Sequence, residues 1–325
     1  MNIILLSGGS GKRLWPLSNN VRAKQFLKIF NLEDGRHESM VQRMYRMIRE
    51  VNPSATITIA TSESQVPLIS DQLGDRVQVS IEPCRRDTFP AIALAVAYLH
   101  DVEGVPEDEA VVVCPVDPYV EKPYFETIVR LQEQAQHGDS NLYLMGIEPT
   151  YPSAKYGYII PTSADAVSDV KEFKEKPTEA VASEYIGQGA LWNAGVFAFK
   201  PRYVLDIARK EFGTSSYKSL LENYSELKKI SFDYAVVEKE PAIKVMRFSG
   251  EWKDLGTWNA LTEEMSDEFS GNVIAGDCRN THIINELQIP LIAIGVDDLA
   301  IAATPDGILV TAKKSSDKLK EYVPD

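Results

Sequence analysis

The chain has 325 residues, 44% of them apolar and 25% charged, which allows a sizeable core divided between one large domain and a small one. Its net charge of −13 opposes nonspecific binding to nucleic acid or to an anionic membrane, so neither is expected as a partner. The three cysteines (Cys84, Cys114, Cys278) are odd in number and far apart, and no CxxC pair occurs. The four histidines do not cluster with them. Neither a disulfide framework nor a structural zinc site is therefore expected, and a reducing, cytoplasmic compartment is. The opening run Met1-Asn2-Ile3-Ile4-Leu5-Leu6 meets glycines too soon for a signal segment, and no later run approaches the ~18 apolar residues of a membrane span.

Taken in order, Ile3–Leu6, Thr56–Ala60, Val77–Ile81, Ala110–Cys114 and Leu142–Gly146 read as strands. Ser39–Glu50, Thr88–His100 and Tyr124–Gln136 read as the helices between them. Continuous apolar strands alternating with helices predict a parallel sheet covered on both faces. From Tyr156 to Phe248, strands at Gly157–Ile160, Val196–Lys200 and Ile243–Phe248 mix with a helix at Thr178–Tyr185, as if the same sheet were being extended. After about Ser266 short apolar runs begin at Val273, His282, Leu291, Ala300 and Ile308, and no long helix interrupts them. They predict a small all-β domain over residues 266–325, ending in a frayed charged tail.

Gly8, Gly9 and Gly11 follow the first strand directly. Glycines permit positive φ and let several backbone N–H groups approach one anion. Two familiar phosphate loops do not fit: GxGxxG fails at Leu14, and Walker A fails at Arg13, where Ser or Thr is required. Lys12, Arg13, Arg22, Lys24 and Lys28 nonetheless concentrate positive charge here in an otherwise acidic chain. Asp117 stands just past an apolar strand, the edge where open α/β sheets bind ligands, and a carboxylate there suits magnesium. Asp117-Pro118-Tyr119 does not supply the DxD of a metal-dependent glycosyltransferase.

Gly11-Lys12-Arg13-Leu14-Trp15-Pro16-Leu17-Ser18, followed by Lys24-Gln25-Phe26-Leu27, resembles the signature of the sugar-1-phosphate nucleotidyltransferases (sugar-nucleotide pyrophosphorylases). The likeness is greatest to the mannose-1-phosphate guanylyltransferases. It continues in order through Glu82-Pro83 to Thr88, Val116-Asp117, Phe173 to Pro177, Trp192-Asn193-Ala194-Gly195 and Trp252-Lys253-Asp254-Leu255-Gly256. The resemblance implies a Rossmann-like, mostly parallel α/β fold, with residues 1–265 as the catalytic domain. It also implies transfer of a nucleotidyl group from a nucleoside triphosphate, GTP first, to a sugar 1-phosphate, mannose 1-phosphate first, with release of pyrophosphate. Heptose, fucose or glucose 1-phosphate, and a catalytically silent nucleotide-binding relative, are the alternatives.

By the same resemblance Arg13, Lys24 and Asp117 are catalytic, and Asp117 and Asp254 share a Mg²⁺ ion. Leu6, Ser7, Gly8, Gly9, Gly11, Lys12, Glu82, Pro83, Arg86, Asp87 and Thr88 are implied to bind the nucleotide, with Thr88 as a helix cap. Gly157, Glu175, Lys176 and Asn193 are implied to bind the sugar phosphate, Asp233 is read as a helix cap, and the C-terminal strands are expected to make a homodimer contact. The sequence departs from the family pattern at Ala23 (usually Pro), at Asp87 and Phe89, on either side of Asp117, and at Lys174 (usually Val). A sugar phosphate is already anionic near neutral pH, so the chemistry needs charge neutralisation and no general base.

Overall fold

The computed structural model describes residues 1–9, 11–19, 21–32, 34–265 and 267–323, the Lys12 side chain excepted. The chain forms two compact units. The first comprises Met1–Gly8, Tyr45–Val116 and Val120–Trp252, and the second Gly9–Met44, Asp117–Tyr119 and Lys253–Asp325.

The first unit is built on a nine-stranded sheet. Its strands are β1 (Asn2–Ser7), β2 (Thr56–Ser62), β3 (Gln78–Glu82), β4 (Val111–Pro115), β5 (Leu142–Ile147), β6 (Tyr158–Pro161), β7 (Val167–Lys174), β8 (Leu191–Phe199) and β9 (Ile243–Phe248). They lie in the order β3-β2-β1-β4-β8-β5-β9-β7-β6. The four apolar strands β1 to β4 pair in parallel. β8 runs antiparallel to both β4 and β5, so the sheet becomes mixed from that point. β9 is parallel to β5, and β7 is antiparallel to β9 and β6, which extends the same sheet.

Both faces of the sheet are covered. The helix Thr88–Asp101 is apolar nearly all round, as a wholly buried helix must be, and packs with Ile4, Val111 and Val113. Ile3 and Leu5 alternate to the opposite face and are just as inaccessible. A second long helix, Lys122–His137, buries Tyr124, Phe125, Ile128, Leu131 and Ala135 at helical spacing and leaves its other side polar. Helices at Val66–Leu73 and Pro201–Phe212 were not anticipated. Each carries Pro in its first turn, where the missing N–H costs nothing.

In the second unit the C-terminal strands form a separate sheet from Phe269–Gly271, His282–Asn285, Leu299–Thr304 and Gly307–Ala312. The first three pair in parallel, and the last two form an antiparallel hairpin. Their apolar side, with Ile284, Ala300, Ala302 and Leu309, packs in one core with Leu14, Leu17, Leu27, Phe30 and Trp258. The basic segment after the glycine turn therefore belongs to the same packed body as the C-terminal sheet.

Polar contacts repeat that connection. Thr304 donates its hydroxyl to the carbonyl of Pro16 at 3.2 Å, and Asn19 donates to Asp306 at 2.6 Å. Arg22 grips Glu286 through both terminal nitrogens, at 2.8 and 2.7 Å. A frayed tail is expected of the final residues, of which 324 and 325 lie outside the described residues. Lys313–Glu321 is a 3₁₀ helix whose Leu319 is buried in the same core, because an apolar residue among charges still gains from burial.

Gly307, at the hairpin turn, has φ of 148°, and a Cβ there would stand 2.4 Å from the Trp15 indole. Gly307→Ala should therefore destabilise the protein by about 2 kcal/mol, read from the urea midpoint. Gly276 has nothing near its Cβ position, and Gly276→Ala should shift stability by less than about 0.5 kcal/mol. Equal effects of the two would contradict the packing of the hairpin on Trp15.

Candidate active site

Among the described residues, two groups of chemically able side chains stand out, one in each unit. In the second unit, Lys24 opens a short 3₁₀ turn (Lys24–Phe26), and its ammonium lies 2.9 Å from Asp117 and 3.3 Å from Asp254. Three distant stretches of sequence thus meet at one nitrogen. Lys24 is 13% exposed, against 42% for Asp117 and 28% for Asp254. Burial acts to lower the pKa of Lys24, but the two carboxylates outweigh it and raise the pKa above the usual lysine value. Burial likewise acts to raise the pKa of Asp117, and Lys24, with Arg13 beyond it, holds the carboxyl below its ordinary value.

Arg13 joins the group through Gly256. A Cβ on Gly256 would stand 3.1 Å from the Arg13 guanidinium and 3.0 Å from the Asp254 carboxylate, so any side chain there would press both groups to shift by a few tenths of an ångström. The approach to Lys24 is also set by backbone. Gly11 has φ of 70°, and a Cβ there would come 2.0 Å from the Asn19 carbonyl. Ser18 donates to the Gly11 carbonyl, and Asn19 accepts the N–H groups of Val21 and Arg22. Ala23 has φ of −70°, within the range a proline would impose, so the departure from the family pattern leaves the backbone course intact. The Lys12 side chain lies outside the described structure.

Among the described residues, no three His, Cys, Asp or Glu side chains gather as a metal cage. Asp117 and Asp254 nevertheless converge on one positive charge, and two carboxylates are what Mg²⁺ takes from a protein when phosphate oxygens complete its shell. The donor set fits that ion.

The first unit holds the other candidates. Leu6 and Ser7 end β1, Gly8 follows, and a Cβ on Gly8 would stand 3.8 Å from the Glu82 carboxylate. Glu82 is buried, which raises its carboxyl pKa, and it accepts the Tyr224 hydroxyl at 3.0 Å and the Arg86 N–H. Pro83 lies in the turn between β3 and the loop that carries Arg86 and Asp87.

The capping expectations are corrected at two places. Asp87, not Thr88, caps the helix Thr88–Asp101, accepting the N–H of Thr88 at 2.8 Å. Asp87 does so at φ 70° and ψ −177°, a conformation that strains any residue with a side chain. The Thr88 hydroxyl instead accepts the N–H of Phe232 at 2.8 Å. The short helix Phe232–Ala235 is capped by Ser231, not by Asp233.

Glu175 and Lys176 follow β7, Gly157 precedes β6, and Asn193 lies inside β8 at a register shift. The strand begins at Leu191, five residues before the expected start at Val196, because Leu191 and Trp192 are apolar and buried. These residues converge. A Cβ on Gly157 would stand 2.5 Å from the Glu175 carboxylate and 3.4 Å from Asn193. Lys176, at φ 46°, pairs with Glu175. Asn193 donates to Asp233 at 2.7 Å and accepts the N–H of Gly195 at 3.1 Å. Asp233 is the member of this group that sequence reasoning missed. An aspartate early in a helix looks like a cap, and only the tertiary contact distinguishes it.

An α/β sheet with a glycine turn, clustered basic residues and paired carboxylates defines a protein that handles phosphate esters. The model of the Nucleotidyl transferase family matches residues 2–270, and the chain belongs to that family; it is a nucleotidyltransferase. A mannose-1-phosphate guanylyltransferase of Escherichia coli is 30% identical over 352 residues, covering 98% of this chain and 72% of that protein. The xanthan biosynthesis protein XanB of Xanthomonas campestris pv. campestris is 31% identical, with 98% and 72% covered. The crystal structure of mannose-1-phosphate geranyltransferase from Thermus thermophilus superposes with a TM-score of 0.81 at 30% identity, covering 99% of this chain and 97% of that one. Among the described residues, no helix is long and apolar enough to cross a membrane.

Removing the shared ammonium leaves two carboxylates facing one another. Lys24→Met should therefore lower stability by about 2 kcal/mol, discounted for the partial exposure of the group. Adding Asp254→Asn to that variant should recover part of the loss in urea unfolding. Strict additivity of the two substitutions would show that the three charges do not act together.

Proposed function

We propose that the chain joins GTP to mannose 1-phosphate, giving GDP-mannose and pyrophosphate. The observation that carries the reading is the Lys24–Asp117–Asp254 cluster, with Arg13 beside Gly256. The choice of GTP and mannose 1-phosphate is supported by the Gly11–Leu27 segment and by relatives named for that sugar phosphate.

An oxygen of the sugar 1-phosphate attacks the α-phosphorus in line with the departing pyrophosphate. It is anionic near pH 7, so no side chain needs to take a proton from it. Arg13 and Lys24 offset negative charge that grows on the α-phosphate and the leaving group, the kind of interaction that accelerates chemistry. Asp117 and Asp254 would hold Mg²⁺, which supplies charge neutralisation to the phosphate oxygens when bound. The backbone N–H groups of the glycine turn, between Ser7 and Gly11, and the Lys12 side chain would cradle the triphosphate.

In this reading Glu82, Pro83, Arg86, Asp87 and Thr88 form the base pocket. The Glu82 carboxylate suits a base edge rich in donors, which guanine provides. Glu175 and Asn193 take sugar hydroxyls beside Gly157, where a side chain would obstruct them, and Lys176 meets the sugar phosphate. A cytoplasmic location, where triphosphates are abundant, and a homodimer are parts of the same reading. Sedimentation of the full chain checks the dimer, and a monomer across the working concentration range would remove it.

Asp254→Asn should cut turnover at least ~100-fold while leaving the thermal midpoint within a few degrees, and near-normal turnover would remove the shared-metal assignment. Substrate choice is read from pyrophosphate release in a matrix of the four nucleoside triphosphates against mannose, glucose, fucose and heptose 1-phosphates. GTP with mannose 1-phosphate should give the highest kcat/KM. A faster reaction of UTP or dTTP with glucose 1-phosphate would overturn the substrate pair and leave the reaction class standing.

A further inference from the structure

The hydrogen bond from Asn193 to Asp233 fixes more than one side chain. Asn193 is held at three points: its own N–H donates to the Gly157 carbonyl at 2.8 Å, its amide oxygen accepts the N–H of Gly195 at 3.1 Å, and its amide NH₂ donates to Asp233 at 2.7 Å. A backbone N–H can only donate, so it requires the amide oxygen on the Gly195 side. A carboxylate accepts, so it draws the NH₂ to the Asp233 side. The two contacts agree on one amide orientation. That leaves one N–H and one oxygen lone pair of Asn193 for a ligand, pointing in directions fixed before anything binds.

Asp233 is itself anchored. Ser231 caps its helix, the Phe232 N–H donates to the Thr88 hydroxyl at 2.8 Å, the Ile230 N–H donates to the Arg86 carbonyl, and the Phe89 N–H donates to the Ile230 carbonyl. Segment 230–233 is therefore tied to the loop that carries Arg86 and Thr88. The Glu175 carboxylate and the Lys176 ammonium face Asp233 from the turn after β7.

We propose that Asp233 is a positioning residue for the sugar: it locks the Asn193 amide so that Asn193 and Glu175 present a preset donor and acceptor pair to adjacent hydroxyls of the sugar 1-phosphate. This rests on the assignment of Glu175 and Asn193 to the sugar. Preorganisation of this kind is expressed as affinity, because the ordering cost is met in folding and not in binding. Burial, with the Glu175 charge next, raises the Asp233 carboxyl to about 6. The group therefore exchanges between a carboxylate and a weaker, protonated acceptor as pH falls through that value.

The test measures KM for each substrate in Asp233→Ala, Asp233→Asn and Asn193→Ala, beside the wild type. Asp233→Ala should raise the KM for sugar 1-phosphate about tenfold, with the KM for triphosphate changed less than twofold. Asp233→Asn retains an oxygen to accept the Asn193 amide and should stay within about threefold of the wild type at pH 8. The sugar phosphate also titrates near pH 6, so the readout is the ratio of wild-type to Asp233→Asn KM for sugar phosphate between pH 5 and 8. That ratio should rise as pH falls through about 6, since only the wild type loses its carboxylate.

Equal losses for both substrates, a flat ratio, or no change in Asp233→Ala would overturn the proposal. If Asp233→Ala does not fold, the Asp233→Asn comparison decides alone. Asn193→Ala separates the two levels of the argument. If it leaves the sugar KM unchanged, the sugar-site assignment itself fails; if it raises that KM while Asp233→Ala does not, only the positioning role fails.

Discussion

One ammonium between two carboxylates organises the second unit. Lys24, Asp117 and Asp254 come from a loop near the N-terminus, from the residues just beyond β4, and from a segment more than a hundred residues later. No local interaction would bring them together. Each charge is partly withdrawn from water, and losing the ammonium would leave two carboxylates uncompensated. The same three groups make the reading of function possible, because two carboxylates sharing one ammonium keep a net negative charge that a divalent cation can take up, while the ammonium can turn to a phosphate.

Backbone supplies the precision that side chains alone could not. Gly11 leaves no room for a Cβ against a carbonyl, and Gly256 lies close against the charged groups, which a Cβ would crowd. Gly307 lies against Trp15, Thr304 bonds to Pro16, and Arg22 is held by Glu286. The C-terminal sheet thus acts as a brace for the basic segment that carries Arg13 and Lys24. In the first unit, strain at Asp87 and the positive φ at Lys176 occur beside the residues assigned to base and sugar. Strained backbone persists only where its surroundings over-determine it.

β1, β2 and β4 of the first unit's parallel half were legible because their β-branched and apolar runs are buried on both faces, and the helices Thr88–Asp101 and Lys122–His137 because their apolar patterns are long. The all-β character of the C-terminal residues was legible from short apolar runs and turn residues. Its packing with residues 9–44 was not, since nothing in either stretch names its partner. The strand that carries Asn193 was started too late, at Val196, because Asn-Ala-Gly is turn chemistry, while Leu191 and Trp192 extend it by burial. The candidate residues were legible through motif resemblance. Which of them touch, and that Asp233 holds Asn193, depend on contacts across tens of residues that no local pattern encodes.

The central claim is that Asp117 and Asp254 act as one cation site coupled to Lys24. Its most direct test is the affinity of Mn²⁺ for the complex with nucleoside triphosphate, read by water-proton relaxation in the wild type, Asp117→Asn, Asp254→Asn and the double variant. Residues that act as a unit are not additive, so either single substitution should remove most of the affinity and the double should lose little more. Losses in the double variant equal to the product of the two single losses, or no loss in either single variant, would contradict the account.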